Sequence, residues 1–286
     1  MEKHIFKKRY GQNFLKSDNV LEQISNLFDV EDNSKIIEVG PGDGALTKKL
    51  LTKNVPIIAF EIDESLKQFL DNINNDNLKI IYKDFLSVSL NDYFSKNDKL
   101  FFVANIPYYI TTPIITKFIE DNIIPEIMIL MVQKEVGERL SAEPKTRQYG
   151  AITAILNYYF NISYEFTVNR DNFYPIPNVD SCVIKLEKKQ GLVRDIFKEY
   201  KKLVYDSFKQ KRKNLKNNLK NYNLDIINNV LKKYDLDLSN RAEDISCEIF
   251  MEITKVLRGG SNEWKRTKWN LESIWYRWWI IRYSNK

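Results

Sequence analysis

The chain has 286 residues, 43% of them hydrophobic and 29% charged, enough to bury a core and long enough that a large domain with a smaller companion is expected. His4 is the only histidine and Cys182 and Cys247 the only cysteines, which sets aside most zinc hydrolases and deaminases, Ser-His-Asp hydrolases, thiolate metal sites and disulfide frameworks. The net charge of +6 is regional: residues 198–220 carry nine basic side chains against two acidic, and 261–286 six against two, leaving the rest at −5.

A cationic stretch of this kind suits a phosphate backbone, whose neutralisation releases counterions. A solvated helix face gives the same pattern. Residues 1–10 are basic but lead into no apolar stretch, and no run approaches the roughly 20 apolar residues of a membrane span. A cytoplasmic protein with no metal and no membrane partner is therefore expected.

From residue 17 to about 140, short apolar runs bounded by turn residues alternate with amphipathic stretches. The pattern predicts strands over 35–39, 56–61, 78–82, 99–104 and 126–132, and helices including 45–52, 65–73 and 113–120. Such alternation implies an α/β fold, a parallel sheet covered on both faces. Apolar runs at 164–168 and 181–186 could complete the sheet as an antiparallel pair. Beyond 191 the pattern turns helical, as in 196–219 and 224–234, and Gly259-Gly260 ends it. The expected organisation is a first domain over 1–190, a helical RNA-binding domain over 191–258, and a tail over 259–286. The tail holds all five tryptophans, Trp264, Trp269, Trp275, Trp278 and Trp279, and reads either as an amphipathic or RNA-stacking segment or as an appended extension without a selected role.

The strongest local signal runs from Ile36 to Thr47, a strand entering the glycine-rich turn Gly40-Pro41-Gly42-Asp43-Gly44 and then a helix. Glycines there let the backbone turn tightly and approach a ligand. Glu61, about 20 residues further on at the end of the next strand, is placed to accept hydrogen bonds from ribose hydroxyls. Together they indicate an adenosine-containing cofactor, although dinucleotide-binding folds use the same arrangement. Asp84, after the third strand, stands where a side chain could meet an adenine amino group.

After the fourth strand comes Asn105-Ile106-Pro107-Tyr108. An exocyclic adenine nitrogen is a poor nucleophile because its lone pair is delocalised into the ring. Acceptors that hold its hydrogens let it pyramidalise as a methyl group arrives. The Asn105 side-chain oxygen and the Ile106 carbonyl can serve as such acceptors, Pro107 fixes the turn, and Tyr108 offers a ring for stacking. As an isolated tetrapeptide the same residues form an ordinary strand-end turn.

Taken together the motifs resemble the KsgA-type ribosomal RNA adenine dimethyltransferases. The resemblance covers about residues 8–257. It is carried by Gly11-Gln12-Asn13-Phe14-Leu15, the glycine turn, Asn105-Ile106-Pro107-Tyr108, Met131-Val132-Gln133-Lys134-Glu135-Val136, Tyr149-Gly150, and the run from Phe173-Tyr174-Pro175 to Asp180-Ser181. It implies a seven-stranded class I (Rossmann-like) methyltransferase domain followed by a small helical domain. S-adenosylmethionine would be held by Asn13, Leu15, Gly40, Gly42, Glu61, Asp84 and Asn105, and Phe173 would face the target base opposite Tyr108. The implied substrate is two adjacent adenosines in a hairpin loop near the 3′ end of small-subunit rRNA, each dimethylated on an immature small subunit by a monomeric enzyme. Family members more often have Leu at position 106 and Lys at 178, where this chain has Ile106 and Asn178. The Erm-type enzymes, which methylate a large-subunit rRNA adenosine, share the Asn-Ile-Pro-Tyr motif but fit Gln133–Val136, Tyr149-Gly150 and the Pro-x-Pro-x-Val-Asp-Ser run less well. A fold retained for RNA binding alone is a further alternative.

Overall fold

The apolar runs of the first half stay apolar on both sides of the pleat, so their strands need cover on both faces. The computed structural model, which describes residues 13–105, 110–191 and 194–259, provides that cover. The first elements are β1 (Phe14–Leu15), α1 (Asp18–Ser25), β2 (Ser34–Val39), α2 (Ala45–Leu51), β3 (Ile57–Glu61), α3 (Lys67–Leu70), β4 (Leu78–Tyr82), β5 (Lys99–Asn105), α4 (Thr111–Glu120) and β6 (Ile127–Gln133). There follow α5 (Lys134–Leu140), α6 (Ala151–Leu156), β7 (Phe160–Val168), β8 (Phe173–Tyr174) and β9 (Ser181–Lys188).

Seven strands form one sheet in the order β4-β3-β2-β5-β6-β9-β7. The first five are parallel and the last two join antiparallel. This is the seven-stranded sheet expected from the resemblance. The chain winds outward from β2 to β4 and then returns to lay β5 on the other side of β2. That reversal opens a crevice beyond the carboxyl ends of β2 and β5, where open α/β sheets take ligands.

Consecutive strand residues feed opposite layers. Phe101 joins the layer under α1 and α2 with Ile24, Phe28, Ile36, Leu50 and Val103, and stacks on Phe28 at 5.3 Å between centroids. Phe102 points the other way and meets Phe118 of α4 edge-on at 4.8 Å, with Phe85 packed against both rings. Both rings are buried, each worth roughly 1.5–3 kcal/mol relative to exposure.

Three expectations need correction. The helix over 65–73 is a 3-10 turn, Glu64–Leu66, running into the single turn of α3; Asp71 to Asn75 is rich in Asn and Asp, which favour turns over helix interiors. The strand over 164–168 begins four residues earlier, at Phe160, and carries a bulge between Tyr164 and Phe166. The helical run over 196–219 is broken into α7 (Phe197–Phe208) and α8 (Leu215–Asn218). Asn218 holds the break: its amide donates to the carbonyls of Ser207 and Gln210 at 2.7 and 3.2 Å and accepts from Gln210 N–H at 3.2 Å.

Contacts divide the chain into two compact units. One ends at Arg194 and also takes in Ala242–Cys247, and the other comprises Asp195–Arg241 and the chain from Glu248 on. In the second unit, α7, α8, α9 (Leu224–Leu231) and α10 (Cys247–Gly259) bury Tyr200, Leu203, Leu215, Ile227, Leu231 and Phe250. Among the described residues no helix is long and apolar enough to cross a membrane.

Candidate active site

The crevice is built around the turn that follows β2. Gly40, Gly42 and Gly44 all have positive φ, at 73°, 63° and 81°, a region that costs other residues strain. Two of them also lack room for a side chain: a Cβ on Gly42 would stand 2.7 Å from the ring of Phe14, and one on Gly44 would stand 2.5 Å from the side chain of Ile73. A Cβ on Gly40 would make an ordinary contact, 3.4 Å, with the backbone oxygen of Asn105. These contacts bring together segments that are far apart in sequence. Pairing of Val39 with Ala104 puts Asn105 at the level of Gly40, at the carboxyl ends of the two central strands.

Glu61 ends β3 and is 5% exposed. Its carboxylate accepts the Gly42 N–H at 3.2 Å and the Asp63 N–H at 2.8 Å, so it shapes the glycine turn as well as facing the crevice. Burial pushes its pKa up, and the backbone N–H groups of Asp63, Gly42 and Ile62 oppose that shift. Each carboxylate oxygen keeps a lone pair that a ribose hydroxyl could use. Asp84 lies two residues beyond β4, exposed, with one oxygen capping the following turn through Leu86 N–H at 2.9 Å.

Asn13 precedes β1 and is partly buried. Leu15 is in the hydrophobic core, so a cofactor contact from it would run through the backbone. β1 pairs antiparallel with β8, matching Phe14 with Tyr174 and Leu15 with Phe173. Phe173 is 3% exposed and shares the core cluster with Leu15, which corrects the expectation that its ring faces a target base: the ring is used up in core packing. Ile106, Pro107 and Tyr108 lie outside the described residues, as do His4 and the tail from 260 on.

Two residues that sequence reasoning left unassigned border this site. Glu38 points to the same sheet face as Ile36, toward α2, and is 1% exposed with neither carboxylate oxygen hydrogen-bonded. Its pKa rises to about 8, chiefly through burial, with the neighbouring Thr47 hydroxyl pulling it down and Glu61 pushing it up. Thr47 Oγ1 itself lacks a hydrogen-bond partner of good geometry. Ile62, directly after Glu61, is 47% exposed, an apolar surface beside the candidate ribose acceptor. The available signals were an acid inside an otherwise apolar strand and an apolar residue following a strand-end acid. Among the described residues no three His, Cys, Asp or Glu side chains are grouped to hold a metal.

The sequence profile of the family described as ribosomal RNA adenine dimethylase matches residues 3–258. The chain belongs to that family. It is an S-adenosylmethionine-dependent rRNA adenine methyltransferase accordingly. It is 42% identical over 258 residues to ribosomal RNA small subunit methyltransferase A of Aster yellows witches'-broom phytoplasma, covering 88% of this chain and 96% of that one. A dimethyladenosine transferase from Plasmodium falciparum superposes with a TM-score of 0.71 at 26% identity, over 84% of this chain and 95% of the other. The 23S rRNA methyltransferase ErmE superposes with a TM-score of 0.69 at 22% identity, over 86% and 100%, and shares the fold. Fold therefore does not separate small-subunit from large-subunit enzymes within this group. The match ends at 258, so the tryptophan-rich tail lies outside it.

Proposed function

We propose that this dimethylase converts two adjacent adenosines, in a hairpin loop near the 3′ end of small-subunit rRNA, to N6,N6-dimethyladenosine on an immature small subunit, acting as a cytoplasmic monomer. The observation that carries the site assignment is the backbone contact between Gly40 and Asn105, 3.4 Å from a Gly40 Cβ to the Asn105 backbone oxygen, which puts the residue that bears the amide beside the glycine turn. The names of the curated relatives, at 38–42% identity, support the small subunit as the target.

The donor set fits the cofactor. Glu61 offers acceptors for ribose hydroxyls, Ile62 an apolar surface for a purine, Asp84 an acceptor for the adenine amino group, and the bare backbone of Gly40 and Gly42 room for close approach. Asn13 and the Leu15 backbone border the same turn through β1. When bound, S-adenosylmethionine supplies an electrophilic methyl group on a sulfonium. The chain's own part is to present the nucleophile. Asn105 Oδ1 and the Ile106 carbonyl accept the two hydrogens of the exocyclic amine, which localises its lone pair on nitrogen. Tyr108 would stack on one face of the base and Pro107 would fix the turn, while Phe173, packed in the core, supports the site from beneath. After transfer the nitrogen is cationic and acidic, so it gives up a proton without a dedicated base, in keeping with a chain whose single histidine is His4. The second round presents a secondary amine with one hydrogen, which needs one of the two acceptors. A loop target lets the bases be splayed out without opening a long duplex.

The test is to incubate the protein and labelled cofactor with unmethylated small and large subunits in parallel and to map the label. Dimethylation of adjacent adenosines in the small subunit supports the reading. Label on the large subunit would transfer the assignment to the Erm-type reaction.

A further inference from the structure

The segment following Phe173 carries a surface that the proposed chemistry does not use. Phe173 turns inward, whereas Tyr174, Ile176 and Val179 are 58%, 59% and 45% exposed. Single exposed apolar side chains are ordinary on a folded protein, but three within six residues form a patch.

The patch is tied at both ends. Tyr174 is held in the ladder opposite Phe14. At the other end the Asp180 carboxylate accepts the Arg170 N–H at 3.0 Å, and its carbonyl accepts the Lys134 N–H, also at 3.0 Å. Presenting these side chains to a ligand therefore costs little further ordering. The same two hydrogen bonds bring the backbones of two basic residues to the loop's end. Arg170 and Lys134 are both exposed, and neither is ion-paired among the described residues.

The position is also informative. Phe14, the ladder partner of Tyr174, has its ring against Gly42 of the glycine turn, and Phe173 is the next residue. The patch thus continues outward from the site assigned to the cofactor and the target base.

We propose that Tyr174, with Ile176 and Val179 beside it, is a stacking platform for an unpaired base flanking the methylated adenosine, with Arg170 and Lys134 engaging the adjoining phosphates. The inference rests on the rRNA reading above. An exposed aromatic ring at one end of a loop with cationic residues at its other end is the chemistry of single-stranded nucleic acid grooves, where stacking tolerates any base and the cations follow the backbone. A protein partner seated on the same apolar patch would leave both cations to be desolvated without compensation.

The experiment is steady-state methyl transfer to unmethylated small subunits by the full chain and by Tyr174→Ala, Tyr174→Leu and Tyr174→Phe, with cofactor affinity measured in parallel. Loss of one stacked base predicts that Ala and Leu raise the KM for the subunit about 5- to 150-fold. Cofactor affinity stays at the wild-type value and Phe restores the KM. A Tyr174→Ala or Tyr174→Leu enzyme with the wild-type KM overturns the proposal, and so does a Phe variant as impaired as Ala, which would assign the effect to the hydroxyl. Leu retains the bulk and lacks the ring face, so it decides the matter should Ala also lower cofactor affinity. Failure of the wild-type chain to methylate small subunits refutes the reading beneath the proposal and is scored separately from the variants.

Discussion

Glu38→Gln is the substitution whose effect on stability should change most with pH. Burial raises the Glu38 carboxyl from its ordinary 4.5 to about 8. Below 4.5 the group is protonated in folded and unfolded chains alike and adds no pH dependence. Between 4.5 and about 8 the unfolded chain releases the proton that the folded chain retains, so folding stability falls by about 1.4 kcal/mol per pH unit. Stability present at low pH is therefore lost as pH rises through the folded pKa, with a ceiling of roughly 5 kcal/mol. Gln keeps the shape and removes the titration. Urea unfolding of the ligand-free chain and the variant at pH 5, 7 and 8.5 measures the difference. The two should agree within about 1 kcal/mol at pH 5 and diverge in favour of Gln by several kcal/mol at pH 8.5. Glu61 shifts in the same direction but is present in both proteins. Parallel stability curves across this range would refute the claim that burial raises the Glu38 carboxyl far above its ordinary range.

Gly42→Ala forces a positive φ on alanine, about 1–2 kcal/mol, and drives a Cβ into Phe14; it should weaken cofactor binding at least about tenfold in calorimetry while the far-ultraviolet circular dichroism is retained. In the second unit, Lys209, Arg212 and Lys213 are exposed and not ion-paired among the described residues. If they contact rRNA phosphates, changing all three to Gln should lower the slope of log affinity against log salt by about 2 to 3. An unchanged slope would make that stretch a solvated face.

The central strands were legible because Ile36-Ile37 and Phe101-Phe102-Val103 are apolar on both sides of the pleat, a pattern that only a doubly covered sheet satisfies. The glycine turn, Glu61 and Asn105 were legible as motifs. Their approach was not, because the distance from Gly40 to Asn105 depends on β5 being laid next to β2 after two intervening strands. The pairing of β1 with β8 left no periodic trace, since two residues cannot establish a period and the ladder is imposed by tertiary contact. The break after Phe208 escaped notice because Lys and Gln favour helix; what ends α7 is Asn218, ten residues on, whose amide competes for the backbone carbonyls. Glu38 was visible as a letter in a motif, and its missing hydrogen bonds arise only when α2 closes over it.

The most direct test of the account is single-turnover methyl transfer from labelled cofactor to unmethylated small subunits by Asn105→Ala. Loss of an acceptor that acts on the reacting nitrogen predicts a rate lower by about 10²–10³-fold, with subunit binding close to wild type. Transfer at the wild-type rate would contradict the claim that the side chain of Asn105, whose backbone lies beside the glycine turn, makes the adenine amine reactive.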